Sequence, residues 1–599
     1  MTAGTATARR ELAHGPALEG AIARGVLLLA AAGGGLIAFP VERRLEYAPV
    51  QSLQAVPDLW GFAALMTVWM ATLLLLLWLA ESLWSATALV ACFAAVYFGF
   101  WTLHWPYGAF EDWGKMQGAQ VIVASGHVQP YVQHYWEWPG LSLLGAAASL
   151  LAGVDLAALR LPLVLLEQVA LTLALLALAL RLLPSPRDAA LAVILAIVGG
   201  PWSLRFHFHP MFMALLLLVT FVLLSLRYME RREVRVGAFL ALVLIILATV
   251  VTHFVTSVLL AFLLLAWRVG QRLPRTPLAQ RVPVAWLAAL LVVAWQLYWA
   301  VPLFDESVRQ ARETVRATLS GEVGAFLSYG RAVGANNLDG FPLWATLTRW
   351  GWALLLPVVG VLCALLVVLR GRALPVPVRA LALAVLGTAA AVAMATVVSP
   401  GGQQFHRFLL YAPLLAAPLL MVCLRRHLAN AGPLLVSALL LLAVVPTFLA
   451  HSNLVSSDSY YEEQVAAGRF LARSLDDGGS GVSLYSGGAA FVGRYFAPFI
   501  YLDTGPMLDQ GPTSNTEDSV RGAYGRMVAA FLAEGERARP AIFWVDPWPR
   551  AYYHLWFGPQ GAVYVLQPLD GLSTSPRIYD NGLVVLWATS LPPTAVTLP

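Results

Sequence analysis

Charge is what this sequence has least of. Asp, Glu, Lys and Arg make up 12% of its 599 residues, about half of the roughly 25% usual in soluble proteins, and that shortage excludes a soluble multidomain enzyme. Cysteine is close to absent: Cys92, Cys363 and Cys423 all sit inside apolar runs, so they read as small buried residues and no disulfide framework exists. Lysine is reduced to Lys115 alone among 38 basic residues, a bias towards arginine. Most of the formal charge of +5 flanks apolar runs, so it reports membrane orientation and argues against a nucleic-acid surface. Repeats, low-complexity tracts and long linkers are missing as well. What is present is hydrophobicity, 59% of the residues with a mean hydropathy of +0.71. Long apolar runs at that level specify a polytopic helical membrane protein, and they exclude a β-barrel, whose strands alternate inward and outward.

About thirteen runs are candidate spans, near 22–39, 60–80, 83–103, 157–181, 188–201, 210–228, 236–251, 254–268, 284–301, 344–369, 379–398, 408–424 and 431–449. With the N-terminus inside, the short cytoplasmic connections receive Arg9, Arg10 and Arg24, then Arg181, Arg187, Arg227, Arg268, Arg272, Arg370, Arg379 and Arg425 with their neighbours. That is a consistent positive-inside pattern. It places 104–156, 202–209, 302–343, 399–407 and the tail from about 450 on the far side. Removal of the first run as a signal peptide would leave the remaining topology unchanged. The chain divides into a membrane part, 1–450, and a tail, 451–599, where Gly, Pro, Asp and Ser return. Helices near 460–475 and 518–536 and strands near 481–485, 540–545, 562–567 and 582–588 predict a small extracytoplasmic α/β domain.

The first large outer loop carries Glu111, Asp112 and Lys115 just after an apolar span, in a stretch rich in aromatics. Residues 112–124 predict a helix lying along the surface, with Trp113, Met116, Val121 and Val123 available to the interface. Asp112 falls at its N-terminal end, where the helix dipole favours a carboxylate. Gly126 ends it, and a second surface helix, 139–153, starts at Pro139-Gly140. The competing reading is that Glu111 and Asp112 only cap this helix.

The order Asp112, Ala119, Gly126, Pro130-Tyr131, Pro139-Gly140 and then Arg160 opening the next span resembles the first outer loop of GT-C-fold membrane glycosyltransferases. It is most similar to their protein O-mannosyltransferase and aminoarabinose-transferase branch. The resemblance covers about 100–450. It implies a polyprenyl-phosphate-linked sugar as donor, catalysis at the outer face, Asp112 as base and Arg160 at the donor phosphate. Two departures stand out: the acidic pair is Glu-Asp where many relatives have Asp-Glu, and Trp138-Pro139-Gly140 replaces a Pro-Pro pair. The chemistry agrees independently, since sugar transfer from a lipid phosphate needs a base for the acceptor hydroxyl and cations for the departing phosphate.

Other outer-face groups complete the candidate site. In the loop 201–210, His207 and His209 share a side of an extended segment and, with Glu111 or Asp112, suit Mn²⁺ or Zn²⁺ better than Mg²⁺. A plain pair of interfacial histidines is the rival, and the metal is secondary. The element 252–257, Thr-His-Phe-Val-Thr-Ser, interrupts an apolar stretch, and its hydroxyls can satisfy a broken helix. Many GT-C relatives show a similar Thr-His element near the lipid donor, which implies phosphate contact by His253. His406 and Arg407 sit at the outer start of a late span, where the guanidinium fork matches a phosphate and snorkelling is the alternative. Lys115 shares a face with Asp112 and can balance the phosphate. Tyr131, Tyr135, Glu137 and Trp138 are the candidates for the acceptor. Arg309, Arg312 and Arg316 at helical spacing read as a solvated face, and the aromatic 542–558 as an interface anchor.

These readings converge on an inverting membrane glycosyltransferase of the plasma membrane. It passes a hexose or pentose from a polyprenyl phosphate to a glycan, lipid or protein. A transporter or flippase of a lipid-linked glycan is the alternative; it calls for paired halves and charges buried at mid-membrane, whereas the ionisable groups here gather at the outer rim. A scaffold whose tail does the binding needs far fewer spans.

Overall fold

The computed structural model describes residues 16–39, 59–104, 110–128, 138–199, 208–230, 236–272, 285–300, 308, 312, 316, 343–370, 374–398, 408–431, 433–458, 462–475, 482–486, 501–503, 517–537, 540–545, 569–581 and 584–589. The chain is a polytopic helical membrane protein. Every apolar run named above forms a helix: α1 (Pro16–Ile37), α2 (Leu59–Leu79), α3 (Leu83–His104), α6 (Leu156–Leu182), α7 (Pro186–Gly199), α8 (Pro210–Glu230), α9 (Val236–Thr252), α10 (Phe254–Arg272), α11 (Ala285–Tyr298), α12 (Leu343–Arg370), α13 (Val376–Val398), α14 (Tyr411–Ala431) and α15 (Pro433–Asp458). Among the described residues, seven helices are long and apolar enough to cross a membrane, namely α1, α2, α3, α6, α8, α10 and α13. Their outward leucines stay exposed while one continuous apolar core fills the bundle, the pattern expected when lipid is the solvent.

Small residues let these helices approach closely. Gly387 of α13 lies against α10, where an added Cβ would stand 2.9 Å from the Phe262 carbonyl oxygen. Trp267, near the end of α10, donates its indole N–H to the Ala380 carbonyl near the start of α13 at 2.7 Å. The arginines Arg181, Arg227, Arg272, Arg370 and Arg425 are exposed near the C-terminal ends of α6, α8, α10, α12 and α14. The N-terminal ends of α6, α8, α10 and α14 therefore share the opposite end of the bundle.

At that opposite end lie α4 (Phe110–Ser125) and α5 (Gly140–Ala152), each followed by a left-handed glycine, Gly126 at φ 75° and Gly153 at φ 64°. They pack on each other as a shelf. The expectation that Trp113, Met116 and Val121 face a lipid interface is corrected: all three are buried, in one apolar cluster with Leu141, Leu156 and Phe208. The same cluster continues into α16 (Glu462–Ser474) and a mixed sheet, through Leu471, Leu484, Ile542 and Trp544.

The sheet has five strands in the order β2-β1-β3-β5-β4. Strand β1 (Ser483–Ser486) pairs in parallel with β2 (Tyr501–Asp503) and β3 (Ala541–Val545). Strand β5 (Val585–Ala588) runs antiparallel to β3 and to β4 (Arg577–Asp580). Helix α17 (Glu517–Glu536) packs Phe531 against Phe543 with ring centroids 5.5 Å apart. Phe543 and Trp544 are thus core residues of β3 and not membrane anchors, because their strand is central and both faces are covered. The remainder of that aromatic stretch, 546–558, and the expected strand at 562–567 lie outside the described residues. Arg312 and Arg316 are exposed, as a solvated face requires, and Arg309 is not described.

Candidate active site

The shelf delivers an acid into the start of α6. Asp155 caps that helix, its Oδ1 accepting the Ala157 backbone N–H at 3.0 Å, and Gln120 of α4 donates to the same oxygen at 3.3 Å. Gly118 allows α4 to settle on α5, since a Cβ there would stand 2.6 Å from Ser142 Oγ. With α4 held at both points, Asp112 at its first turn meets Arg160 one turn into α6. The Arg160 Nη1–Asp112 Oδ2 distance is 3.0 Å, with side-chain exposures of 3% and 0%. A charge pair this deep needs its partners, because desolvation penalises either ion alone. Lys115, one turn along α4, is buried as well.

The second half of the site is a polar relay where α9 gives way to α10. His253 is the single non-helical residue between them, as the interrupted stretch predicts. Its Nδ1 receives the Thr256 backbone N–H at 3.4 Å and lies 2.9 Å from Thr256 Oγ1. The Thr256 hydroxyl is in turn hydrogen-bonded to the Tyr411 hydroxyl, which also stands 3.4 Å from Nδ1. His209 does the same for α8, its Nδ1 accepting the Met211 N–H at 3.1 Å. The two imidazoles meet edge to face, centroids 6.4 Å apart. A neutral histidine whose Nδ1 is an acceptor carries its proton on Nε2, so both rings are built as donors at Nε2.

The shelf is joined to this relay through Gly140, whose added Cβ would lie 2.5 Å from Thr252 Oγ1 and 3.0 Å from Thr252 Cα. Trp138 stacks near Phe254 with centroids 5.6 Å apart, and its buried Nε1 has no hydrogen-bond partner among the described residues. Asp112, Arg160, Lys115, Trp138, His209 and His253 therefore gather at one end of the bundle. Tyr131, Tyr135, Glu137, His207, His406, Arg407 and the side chain of Glu111 lie outside the described residues. Among the described residues, no group of three His, Cys, Asp or Glu side chains is placed to hold a metal. His209 also has the wrong tautomer for ligation through Nε2, since a metal-bound imidazole donates its other N–H.

Three residues escaped the sequence reading. Thr256 was read only as a backbone partner, and Tyr411 as part of a span. Glu167 sits twelve residues into α6, on the face of Arg160 and two turns beyond it, with a buried Oε1 that has no hydrogen-bond partner among the described residues. It lies close enough to Asp112 for the two carboxyls to interact electrostatically. An acid inside an apolar span was the available signal, and it is an exception to the gathering of ionisable groups at the rim.

No family model matches the chain, and no curated protein matches it in sequence. Among solved structures, it is similar to the oligosaccharyltransferase of Archaeoglobus fulgidus tethered with an acceptor peptide, with a TM-score of 0.51, 13% identity, and coverage of 85% of this chain and 74% of that one. Archaeal oligosaccharyltransferase AglB of Archaeoglobus fulgidus in complex with an inhibitory peptide and a dolichol-phosphate gives a TM-score of 0.50 at 12% identity over the same shares. ArnT of Cupriavidus metallidurans bound to undecaprenyl phosphate aligns over 84% of this chain and 97% of its own, at 16% identity and a TM-score of 0.42. The chain shares the GT-C fold of membrane glycosyltransferases.

Proposed function

We propose that the chain transfers a single sugar from a polyprenyl-phosphate donor to an acceptor hydroxyl or amine at the extracytoplasmic face, with inversion. The observation that carries the reading is the fully buried Asp112–Arg160 pair at the end of a bundle with this fold. Dolichol-phosphate in one neighbour supports a lipid-phosphate donor. Glycan, lipid or protein remains the acceptor class.

In the resting pair each ion blocks the other. A donor phosphate that draws Arg160 to itself frees the Asp112 carboxylate beside the anomeric carbon. Asp112 then takes the acceptor proton, the acceptor oxygen or nitrogen bonds to the anomeric carbon from the opposite face, and the carbon–oxygen bond to phosphate breaks. The phosphate leaves with the electron pair, held by Arg160, Arg407, Lys115 and the Nε2–H of His253, with His406 adjoining. Trp138 offers its indole N–H to the acceptor, and Tyr131, Tyr135 and Glu137 line the same loop. No step is assigned to a divalent metal: of the residues named for one, His207 and the side chain of Glu111 lie outside the described residues, and His209 uses Nδ1 to accept the Met211 N–H.

One observation favours a second reading. Glu167, deep in α6 and without a hydrogen-bond partner at Oε1 among the described residues, is what a transporter of a lipid-linked glycan would carry. The test is turnover by the full chain in lipid nanodiscs, given a panel of polyprenyl-phosphate hexoses and pentoses with the product configuration read by NMR. Release of lipid phosphate with an inverted product supports the transferase. Translocation of the lipid-linked sugar across vesicles without turnover supports the transporter and removes the transferase.

A further inference from the structure

The hydroxyl relay behind His253 takes no part in the steps above, yet it is fully buried: Thr256 and Tyr411 are both 0% exposed. A buried hydroxyl is costly unless it bonds, so a Val and Phe pair would pack here without that requirement. We propose that Tyr411 and Thr256 are positioning residues that lock His253 in its Nε2–H tautomer, making the imidazole a fixed hydrogen-bond donor to a phosphate oxygen. This inference rests on the reading of His253 as a donor-phosphate contact.

Both donors of Thr256 converge on Nδ1 of His253. The Thr256 backbone N–H can only donate, and it faces Nδ1 at 3.4 Å. With Nδ1 as the acceptor, the Thr256 hydroxyl donates to it at 2.9 Å, and the Tyr411 hydroxyl donates to Thr256. The opposite tautomer would set an Nδ1–H head-on against that backbone N–H and reverse the chain of hydroxyls. Tyr411 opens α14 only four residues after Arg407, so one hydroxyl ties the α10 start, His253 and the entry to α14 together across 155 residues of sequence. Ser257 adds a second brace, donating to the His253 carbonyl at 2.8 Å and fixing the backbone that carries the ring.

The test uses the full chain in nanodiscs with farnesyl phosphate as probe and farnesol as the uncharged control. His253→Asn keeps an acceptor suited to the N-cap but deletes the Nε2–H; it should weaken phosphate-dependent binding about tenfold. Tyr411→Phe and Thr256→Val should each weaken it about three- to fivefold. Because both act through His253, the Tyr411→Phe/His253→Asn double variant should bind within about twofold of His253→Asn alone. Nitrogen NMR of labelled histidine should report protonated Nε2 for His253 in the unaltered protein and a tautomer mixture in Tyr411→Phe. Wild-type binding by Tyr411→Phe, penalties that add in full, or an unchanged tautomer signal would overturn the inference while a loss in His253→Asn leaves the donor reading standing. Wild-type binding by His253→Asn would remove both.

Discussion

The two ends of the helix bundle use ionisable residues in opposite ways. At one end Arg181, Arg227, Arg272, Arg370 and Arg425 are exposed and scattered over five helices, each near a C-terminal end. At the other end Asp112 and Arg160 are buried against each other, and two histidines accept hydrogen bonds from the backbone at Nδ1. Exposed charge is inexpensive in water and its removal changes little, whereas a buried pair is retained against its desolvation penalty. The contrast sets exposed against buried charge on one scaffold.

The largest effect should come from breaking the buried pair on one side. Arg160→Met leaves Asp112 buried without its cation and should cost about 3–5 kcal/mol, read as resistance to SDS-induced unfolding. Adding Asp112→Leu should return most of that stability without restoring transfer. Next, Gly140→Val drives two methyls into Thr252 and should cost about 1–3 kcal/mol by lifting the shelf off the α9–α10 junction; its transfer rate should fall more than its melting point suggests. Glu167→Leu removes a buried oxygen with no hydrogen-bond partner among the described residues and should raise stability by about 1–2 kcal/mol. A loss of stability there would mean that the Glu167 carboxyl is held by a partner. The smallest effect belongs to the other end: Arg370→Gln should stay within about 0.5 kcal/mol in stability, with unchanged transfer. A large effect from Arg370→Gln would erase the distinction between the ends.

Much of this was legible beforehand, for particular reasons. Helices are written in long apolar runs, so every named run became one, and His253 broke its run where Thr and Ser can serve a helix start. Asp112 and Arg160 were each legible through the loop's order of residues, but not their pairing, since a contact across 48 positions leaves no local pattern. Trp113, Met116 and Val121 show an apolar face without saying what covers it, and the cover is α5, the start of α6 and Phe208, in a cluster continuous with the sheet, where lipid was expected. Glu167 was hidden because one acid among 27 residues of α6 does not interrupt its hydropathy. Tyr411 reads only as part of the span 408–424 until its partners are seen. Strand β2, of 3 residues, is too short to carry an alternation, and β4 begins and ends on charged residues.

The central claim is that the buried end performs chemistry, and Asp112→Asn tests it most directly. The amide keeps the shape and can still face Arg160, but it cannot take a proton. Measured as the initial rate of sugar release from a polyprenyl-phosphate donor, with folding checked by gel filtration and thermal melting, the account predicts a loss of about 10²–10⁴-fold in a folded protein that still binds farnesyl phosphate. A folded Asp112→Asn protein that transfers sugar at the wild-type rate would contradict it, and would return Asp112 to capping a surface helix.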